Sequence, residues 1–363
     1  MKSVVEIPIA AISDQFAISG TFLHSEEIPT GHINSTYRVT YQEDNGEQRR
    51  YILQAINRHV FKDPYAVMRN VETVTRHINQ RVLREKSDLS GQTLNLFPAR
   101  SGALWVEDVE QRVWRCYNAI EGCRTYDIVE NERQAWQAAH AFGSFQHLVS
   151  DLDSSRIVET IPDFHHTRKR FDRLIAVATI DPCDRLSSVQ PELRQILDLE
   201  PMVDVLLDLA AAGKIPTRIT HNDTKINNVM IDSATDEAVC VIDLDTVMPG
   251  LSLYDFGDMV RSATNSAGES ETDLSKVEMR LPIYQALVDG YLAAAGDFLN
   301  ETEIQHLAFS GKLLTLEVAI RFLTDYLEGD IYFKTTRPGQ NLDRTRNQLQ
   351  LLKTMECGSP LPP

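Results

Sequence analysis

The 363-residue chain is short of several features that mark common protein classes. Its five cysteines, Cys116, Cys123, Cys183, Cys240 and Cys357, are odd in number and include no C-x-x-C pair. That spacing excludes a disulfide framework or a zinc knuckle and leaves reduced thiols as the expectation. Basic residues are outnumbered, 36 Lys and Arg against 52 Asp and Glu, for a formal charge of −16. So acidic a chain has no general affinity for nucleic-acid backbone or an anionic membrane surface, both of which need clustered Lys and Arg. Long apolar runs are missing too: the most apolar stretch, 203–212, is broken by Asp204 and Asp208 and is far too short to span a bilayer. Glu6 and Pro8 interrupt any signal-peptide-like run at the N-terminus, and the expectation is a soluble cytoplasmic protein. No repeat or low-complexity tract is present.

What remains is an ordinary globular composition, 42% hydrophobic and 24% charged, at a length that suggests two domains. Residues 36–41 alternate and are rich in β-branched and aromatic types; Asp44-Asn45-Gly46 supplies turn chemistry, and Tyr51-Ile52-Leu53-Gln54 resumes a strand. Pro64 opens a helical stretch over 64–85 carrying Val67, Met68, Val71, Val74 and Ile78 at helical spacing. Ser101-Gly102 separates two further strand-like runs that end at Tyr117. Beyond Glu121-Gly122 the character changes. Asn131, with Gln134 three residues on, starts a long amphipathic helix, and further helical runs are predicted near 166–180, 191–213, 279–299 and 302–328. Residues 265–273 read as a polar loop and 358–363 as a loose tail. The pattern predicts a small α+β lobe over residues 1–118 and a larger, mainly helical lobe over 119–363.

Within the helical part lies one β-rich island, 217–247, which holds most of the unusual polar residues. In 219–231, two apolar strand-like ends flank a run of eight residues, seven of them polar, beginning His221-Asn222-Asp223-Thr224-Lys225. A long polar run between buried strands is costly unless its groups are satisfied or used. A second run, Ala238-Val239-Cys240-Val241-Ile242-Asp243-Leu244-Asp245, is an apolar strand ending in two carboxylates. Phosphoryl transfer from a nucleoside triphosphate needs a carboxylate to orient the attacking hydroxyl, hard oxygen ligands for Mg²⁺, and a cation at the moving phosphoryl. Asp223 is the candidate base, Asn228 and Asp243 the candidate metal ligands, and Lys225 the candidate cation. An Asp–Asn separation of five followed by a strand-terminal Asp matches the kinase catalytic-loop arrangement. Asp255-Phe256-Gly257 also spells a kinase metal tripeptide, but Asp243 already fills that role, so Asp255 and Asp258 read as structural, capping or bracing a helix start.

These residues resemble the aminoglycoside phosphotransferase and choline kinase superfamily, whose H-x-D-x-x-x-x-N motif is met by His221, Asp223 and Asn228 and whose metal Asp is met by Asp243. Within it the chain is similar to the N-acetylhexosamine 1-kinases. Four runs carry that likeness: Gly31-His32-Ile33-Asn34-Ser35-Thr36-Tyr37, Met68-Arg69-Asn70-Val71-Glu72, residues 220–228, and Arg321 through Phe333. The resemblance implies an α+β, bilobal protein-kinase-like fold, with a small antiparallel-sheet N-lobe that binds nucleotide and a larger helical C-lobe that is catalytic and sugar-binding. It implies ATP and Mg²⁺, with a sugar as phosphoryl acceptor. Asp223 would take the proton of the anomeric hydroxyl, Arg321 and Tyr332 would line the sugar pocket, and His32 and Asn34 would close over it. Gly31, Gln54 and Glu72 fall at the nucleotide-side positions. One departure stands out: where many kinases of this fold carry a strand lysine paired with a helix glutamate, this chain has Gln54, so either another cation, Lys225 or an arginine, compensates, or phosphate binding relies more on Mg²⁺ and backbone N–H groups. Two other readings stay open: a kinase of the same fold acting on an amino alcohol or an aminoglycoside, and a catalytically silent sugar- or nucleotide-binding regulator.

Overall fold

The computed structural model describes residues 9–29, 33–85 and 93–357. The chain opens with a short helix, α1 (Ile9–Ser13), and three antiparallel strands, β1 (Thr21–Glu27), β2 (Ser35–Gln42) and β3 (Gln48–Ala55). Gly46, at φ 84°, turns β2 into β3, a conformation that glycine adopts without steric penalty. Helix α2 (Pro64–Glu85) follows. Asp63 caps it, its Oδ1 accepting from the Tyr65 and Ala66 amides, and Pro64 sits in the first turn, where no N–H is needed. Strands β4 (Leu96–Phe97), β5 (Val106–Glu107) and β6 (Val113–Asn118) complete a six-stranded sheet, in which β6 lies antiparallel to β3.

Strand alternation gives this sheet two unlike faces. Tyr51, Leu53, Trp114 and Cys116 pack on one side with Phe16 and Val39. Val113 and Tyr117 point to the other, where the buried stripe of α2, Val67, Met68, Val71 and Val74, meets them. That second core also takes in Ile219, Leu244, Val247 and Met248 from the C-terminal part. The sheet face bearing Gln54 and Arg115 is thus turned toward the polar island.

After β7 (Cys123–Arg124) the chain is mainly helical. Helix α3 (Glu132–Leu148) starts at Asn131, whose Oδ1 accepts from the Gln134 amide at 3.0 Å. Helix α4 (Thr167–Ile180) matches its expected run. The run expected at 191–213 is broken into α5 (Gln190–Asp198), a 3₁₀ turn at Glu200–Met202 and α6 (Val205–Ala211), because Pro201 cannot continue a helix. Strands β8 (Arg218–Thr220), β9 (Val229–Asp232), β10 (Ala238–Val241) and β11 (Met248–Gly250) form the island: β10 and β7 flank β9, and β11 pairs with β8.

Helix α7 (Ser252–Thr264), outside the expected helical runs although Asp255 and Asp258 marked a helix start, follows directly, then α8 (Leu281–Ala295). The run expected at 302–328 divides at His306 into α9 (Glu301–Gln305) and α10 (Leu307–Leu327). Helix α11 (Gln340–Cys357), also not foreseen, packs against α10. Helices α7 and α10 cross closely: a Cβ on Gly257 would lie 2.5 Å from the Ser310 carbonyl oxygen, and one on Gly311 2.6 Å from Val260. That crossing brings Tyr254 of α7 near Glu317 of α10. Among the described residues no helix is long and apolar enough to cross a membrane, and the four cysteines whose side chains are described are free thiols. The tail at 358–363 lies outside the described residues.

Candidate active site

Strand β8 delivers the chain into the loop 221–228, and the loop is held from several directions. The His221 ring packs edge-on against Phe142 and Phe145 of α3. Its Nε2 lies 2.9 Å from the Ile242 carbonyl, at the end of β10, and its Nδ1 accepts from the Asp223 amide at 3.3 Å. Asp255 receives the amides of His221 and Asn222 at 2.8 and 2.7 Å and the Gln146 amide group at 2.6 Å. Asp258 takes the Thr224 amide at 3.2 Å and the Arg261 guanidinium at 2.9 Å. Both carboxylates therefore brace the loop from inside α7. The expected cap of their own helix is replaced by this role, since the N-cap position is Leu251 and has no side-chain cap.

Asp223 is gathered with its expected companions. The Lys225 ammonium lies 2.8 Å from Asp223 Oδ1, and Asn228 Nδ2 donates to the Asp223 carbonyl at 2.8 Å and to its Oδ2 at 3.0 Å. Burial would raise the Asp223 carboxyl, but Lys225, His221 and Asn228 together hold it at about 2. The same pairing raises Lys225 above its ordinary value. Because Asn228 spends its amide nitrogen on Asp223, its Oδ1 is left to accept or to ligate.

Asp243 stands where β10 ends, in the left-handed region at φ 61°. Among the described residues its carboxylate makes no hydrogen bond or ion pair. Burial, with Asp245 and Asp223 nearby, raises it to about 7. A carboxylate in that position calls for a cation. Among the described residues no three His, Cys, Asp or Glu side chains cluster as a protein-only metal cage. The Asn228 and Asp243 oxygens fit Mg²⁺ nonetheless, which is commonly bound by one or two carboxylates plus substrate phosphates and water.

The cation that Gln54 cannot supply sits on the neighbouring strand. Arg115 is the cross-strand partner of Gln54, wholly buried. Its Nε and Nη2 donate to Gln54 Oε1 at 3.0 and 2.8 Å, and its Nη1 pairs with Asp245. Burial opposes the charge, yet Asp245 keeps Arg115 firmly protonated. Asn34 joins the same group: Nδ2 donates to Asp245 Oδ2 at 2.7 Å, and Oδ1 accepts the Asn57 amide at 3.0 Å. Arg115 and Asp245 were not foreseen from the sequence. The signal available was a charged residue inside the strand Val113-Trp114-Arg115-Cys116-Tyr117, all of it buried. Glu72 is not brought into this group; its partner is Arg76, one turn along α2 on the outer face. Gly31 and His32 lie outside the described residues.

On the other side of the loop, α10 presents Arg321, whose guanidinium carbon lies 5.6, 5.9 and 5.5 Å from the ring centres of Phe164, Tyr332 and Phe333. Asp325 shapes this wall: it accepts the amides of Ile331, Tyr332 and Phe333 at 3.0, 2.7 and 3.0 Å. The Tyr332 ring is thereby presented outward, 62% exposed. Arg170 of α4 is close enough to Arg321 for the two charges to oppose one another, and burial with that repulsion lowers it.

The family model for the phosphotransferase enzyme family matches residues 24–297. Solved structures repeat the fold at low identity. An aminoglycoside phosphotransferase from Alicyclobacillus acidocaldarius is 13% identical, with a TM-score of 0.62 over 97% of this chain and 96% of that one. An amicoumacin kinase, hAmiN, in complex with AMP-PNP, Ca²⁺ and Ami, is 12% identical, with a TM-score of 0.59 over 98% and 94%. A choline kinase from Cryptosporidium parvum is 15% identical, with a TM-score of 0.55 over 94% of each chain. The mixed α+β architecture, with an antiparallel sheet in the N-terminal region and a helical C-terminal part, is that of these kinases.

Proposed function

The chain belongs to the phosphotransferase enzyme family, and from that premise we propose that it transfers the γ-phosphoryl group of ATP, with Mg²⁺, to the anomeric hydroxyl of an N-acetylhexosamine, GlcNAc or GalNAc. The observation that carries this reading is the convergence of Asp223, Lys225, Asn228 and Asp243 in one braced loop and the strand end beside it. In this reading residues 1–118 cover the nucleotide, and 119–363 supply catalysis and the sugar pocket. The AMP-PNP and Ca²⁺ held by the similar amicoumacin kinase support a nucleotide and a divalent ion.

Asp223 accepts a hydrogen bond from the acceptor hydroxyl and aims it at the phosphorus. A carboxylate held at about 2 is a weak base, which suits a loose transition state in which the hydroxyl proton leaves late. Lys225 faces the transferred phosphoryl oxygens. Asn228 Oδ1 and an Asp243 oxygen would hold Mg²⁺, which when bound neutralises charge on the β- and γ-phosphate oxygens. On the nucleotide side Gly31 keeps the phosphate role that the resemblance implies, and Gln54 acts through Arg115; Glu72, turned to Arg76, has no part.

Arg321, Tyr332, His32 and the remaining N–H of Asn34 surround the sugar. Their donors match ring hydroxyls and an acetamide carbonyl. Two adjacent guanidiniums, Arg170 and Arg321, oppose a cationic acceptor, which favours a neutral sugar over an amino alcohol or an aminoglycoside. Incubation with ATP, Mg²⁺ and a panel of sugars, amino alcohols and aminoglycosides, followed by phosphorus NMR, tests the reading. A new anomeric phosphate on an N-acetylhexosamine is expected. A C6 phosphate, or activity on choline alone, overturns it.

A further inference from the structure

A second histidine, outside the H-x-D motif, holds the loop at the residue next to Asp223. Asn222 has φ 66°, a strained region that asparagine tolerates better than most residues. Its polar groups are engaged inside the protein: the amide on Asp255, Nδ2 on the Thr246 and Thr220 carbonyls, and Oδ1 on the Thr220 hydroxyl. The carbonyl oxygen is taken by His165, whose Nε2 lies 3.1 Å away. His165 stands two residues before α4, buried between Phe164 and Tyr254. Its other ring nitrogen, Nδ1, lies 2.8 Å from Glu317 Oε1 on α10, and the second Glu317 oxygen accepts from the Thr167 hydroxyl at 2.6 Å.

A carbonyl oxygen and a carboxylate both accept, so a ring that satisfies both must donate from both nitrogens. The charged and titratable groups acting on it are Glu317, Asp258 and Arg321, with the Tyr254 ring against it. Burial disfavours the charged ring, and Glu317 overcomes that, so His165 titrates above its usual range and Glu317 below. Glu317 is one helical turn from Arg321, so the chain of contacts runs from the acceptor wall to the catalytic loop.

We infer that His165 is a positioning residue of the phosphoryl-transfer site: anchored by Glu317, it holds the Asn222 carbonyl and so fixes the direction of the Asp223 carboxylate. This rests on the proposed role of Asp223, which Asp223→Asn tests separately: normal turnover in that variant removes the reading of the site, whatever His165 does.

Two variants test the inference. In His165→Gln the side-chain amide nitrogen reaches the place of Nε2 and can still donate to Asn222. In His165→Asn the shorter amide reaches Glu317 but not Asn222. A misdirected base costs on the order of 100-fold in kcat, so His165→Asn is expected to lose about that much, with KM for ATP and sugar within about threefold. His165→Gln is expected to recover at least about tenfold of it. Equal kcat in the two folded variants, or a loss carried by KM alone, overturns the inference. Should His165→Asn fail to fold, long-range ¹H–¹⁵N spectra of the parent protein labelled at histidine carry the test, with the His165 signals assigned by their loss in His165→Gln. Protons on both ring nitrogens at neutral pH are expected; a bare Nε2 overturns it.

Discussion

The loop carrying Asp223 and the wall carrying Arg321 differ in how much of their polar capacity the protein itself uses. In the loop, His221, Asn222 and Thr224 are tied to Asp255, Asp258, His165 and the β10 end, and both Asp223 oxygens have partners. On the wall, among the described residues, the Arg321 guanidinium and the Tyr332 hydroxyl make no hydrogen bond, and three aromatic rings stand against Arg321. A loop fixed in advance needs no reorganisation when charge develops, whereas donors left open specify whatever arrives. In the proposed reading the chemistry is therefore built into the fold, and the choice of acceptor is left to the wall.

The largest effect that can break this contrast is at the loop. Asp223→Asn removes the carboxylate and keeps the shape and the Asn228 contact. A loss in kcat of about 10²–10⁴-fold is expected, with KM for the sugar little changed, read by ADP release at saturating ATP. Near-normal turnover would mean that the bracing of the loop serves only the fold.

Next in size is Arg115→Met, which leaves Asp245 buried without its ion-pair partner. Breaking such a pair costs about 3–5 kcal/mol, to be read from the urea midpoint. Adding Asp245→Asn to the same chain is expected to restore a large part of the loss, because the stranded charge is the main penalty. If the double variant is as unstable as the single one, Arg115 acts through packing and not as the cation beside Gln54.

How much of this could be read in advance follows from distance along the chain. Asp223, Lys225 and Asn228 stand within one short loop, and Asp243 ends the hairpin that follows, so local spacing sufficed. Arg115–Asp245 and His165–Glu317 join residues 130 and 152 positions apart, and only the packing of the sheet face against the island and of α4 against α10 brings them together. Helix α7 does carry a helical period, with Leu253, Phe256, Met259, Val260 and Ala263 set against Asp255, Asp258 and Arg261, but the polar side is buried as well, so only tertiary packing shows what it faces. In α11, Asn341, Thr345, Asn347 and Gln348 point inward beside Leu349 and Leu352, which erases the amphipathic signal. Asp255 read as a brace, but what it braces lies in another element.

Arg321→Ala probes the wall. Removing a donor that meets an acceptor group on the sugar costs about 1–3 kcal/mol, hence roughly 5- to 150-fold in kcat/KM for the sugar. KM for ATP is expected to stay constant, since among the described residues no hydrogen bond or ion pair joins Arg321 to the Gln54–Arg115–Asp245 group. A parallel loss for both substrates would show that the wall is part of the loop's bracing, through Glu317, and would erase the contrast between the two regions.

The smallest effect sharpens the nucleotide side. Glu72 is the α2 residue expected from the sequence to stand on the nucleotide side, yet it faces Arg76 with its side chain 30% exposed. An exposed i,i+4 pair contributes about 0.3–0.5 kcal/mol, so Glu72→Gln should shift the urea midpoint barely and leave kcat and KM for ATP within about twofold. The reason is structural: Arg115 already has Asp245 as its counter-charge, so a second carboxylate from α2 would have no cation to meet. A tenfold or greater rise in KM for ATP would mean that α2 turns inward when nucleotide binds. Arg115 would then be shared between Asp245 and Glu72, and the loop region would be less completely fixed beforehand than its internal bonds indicate.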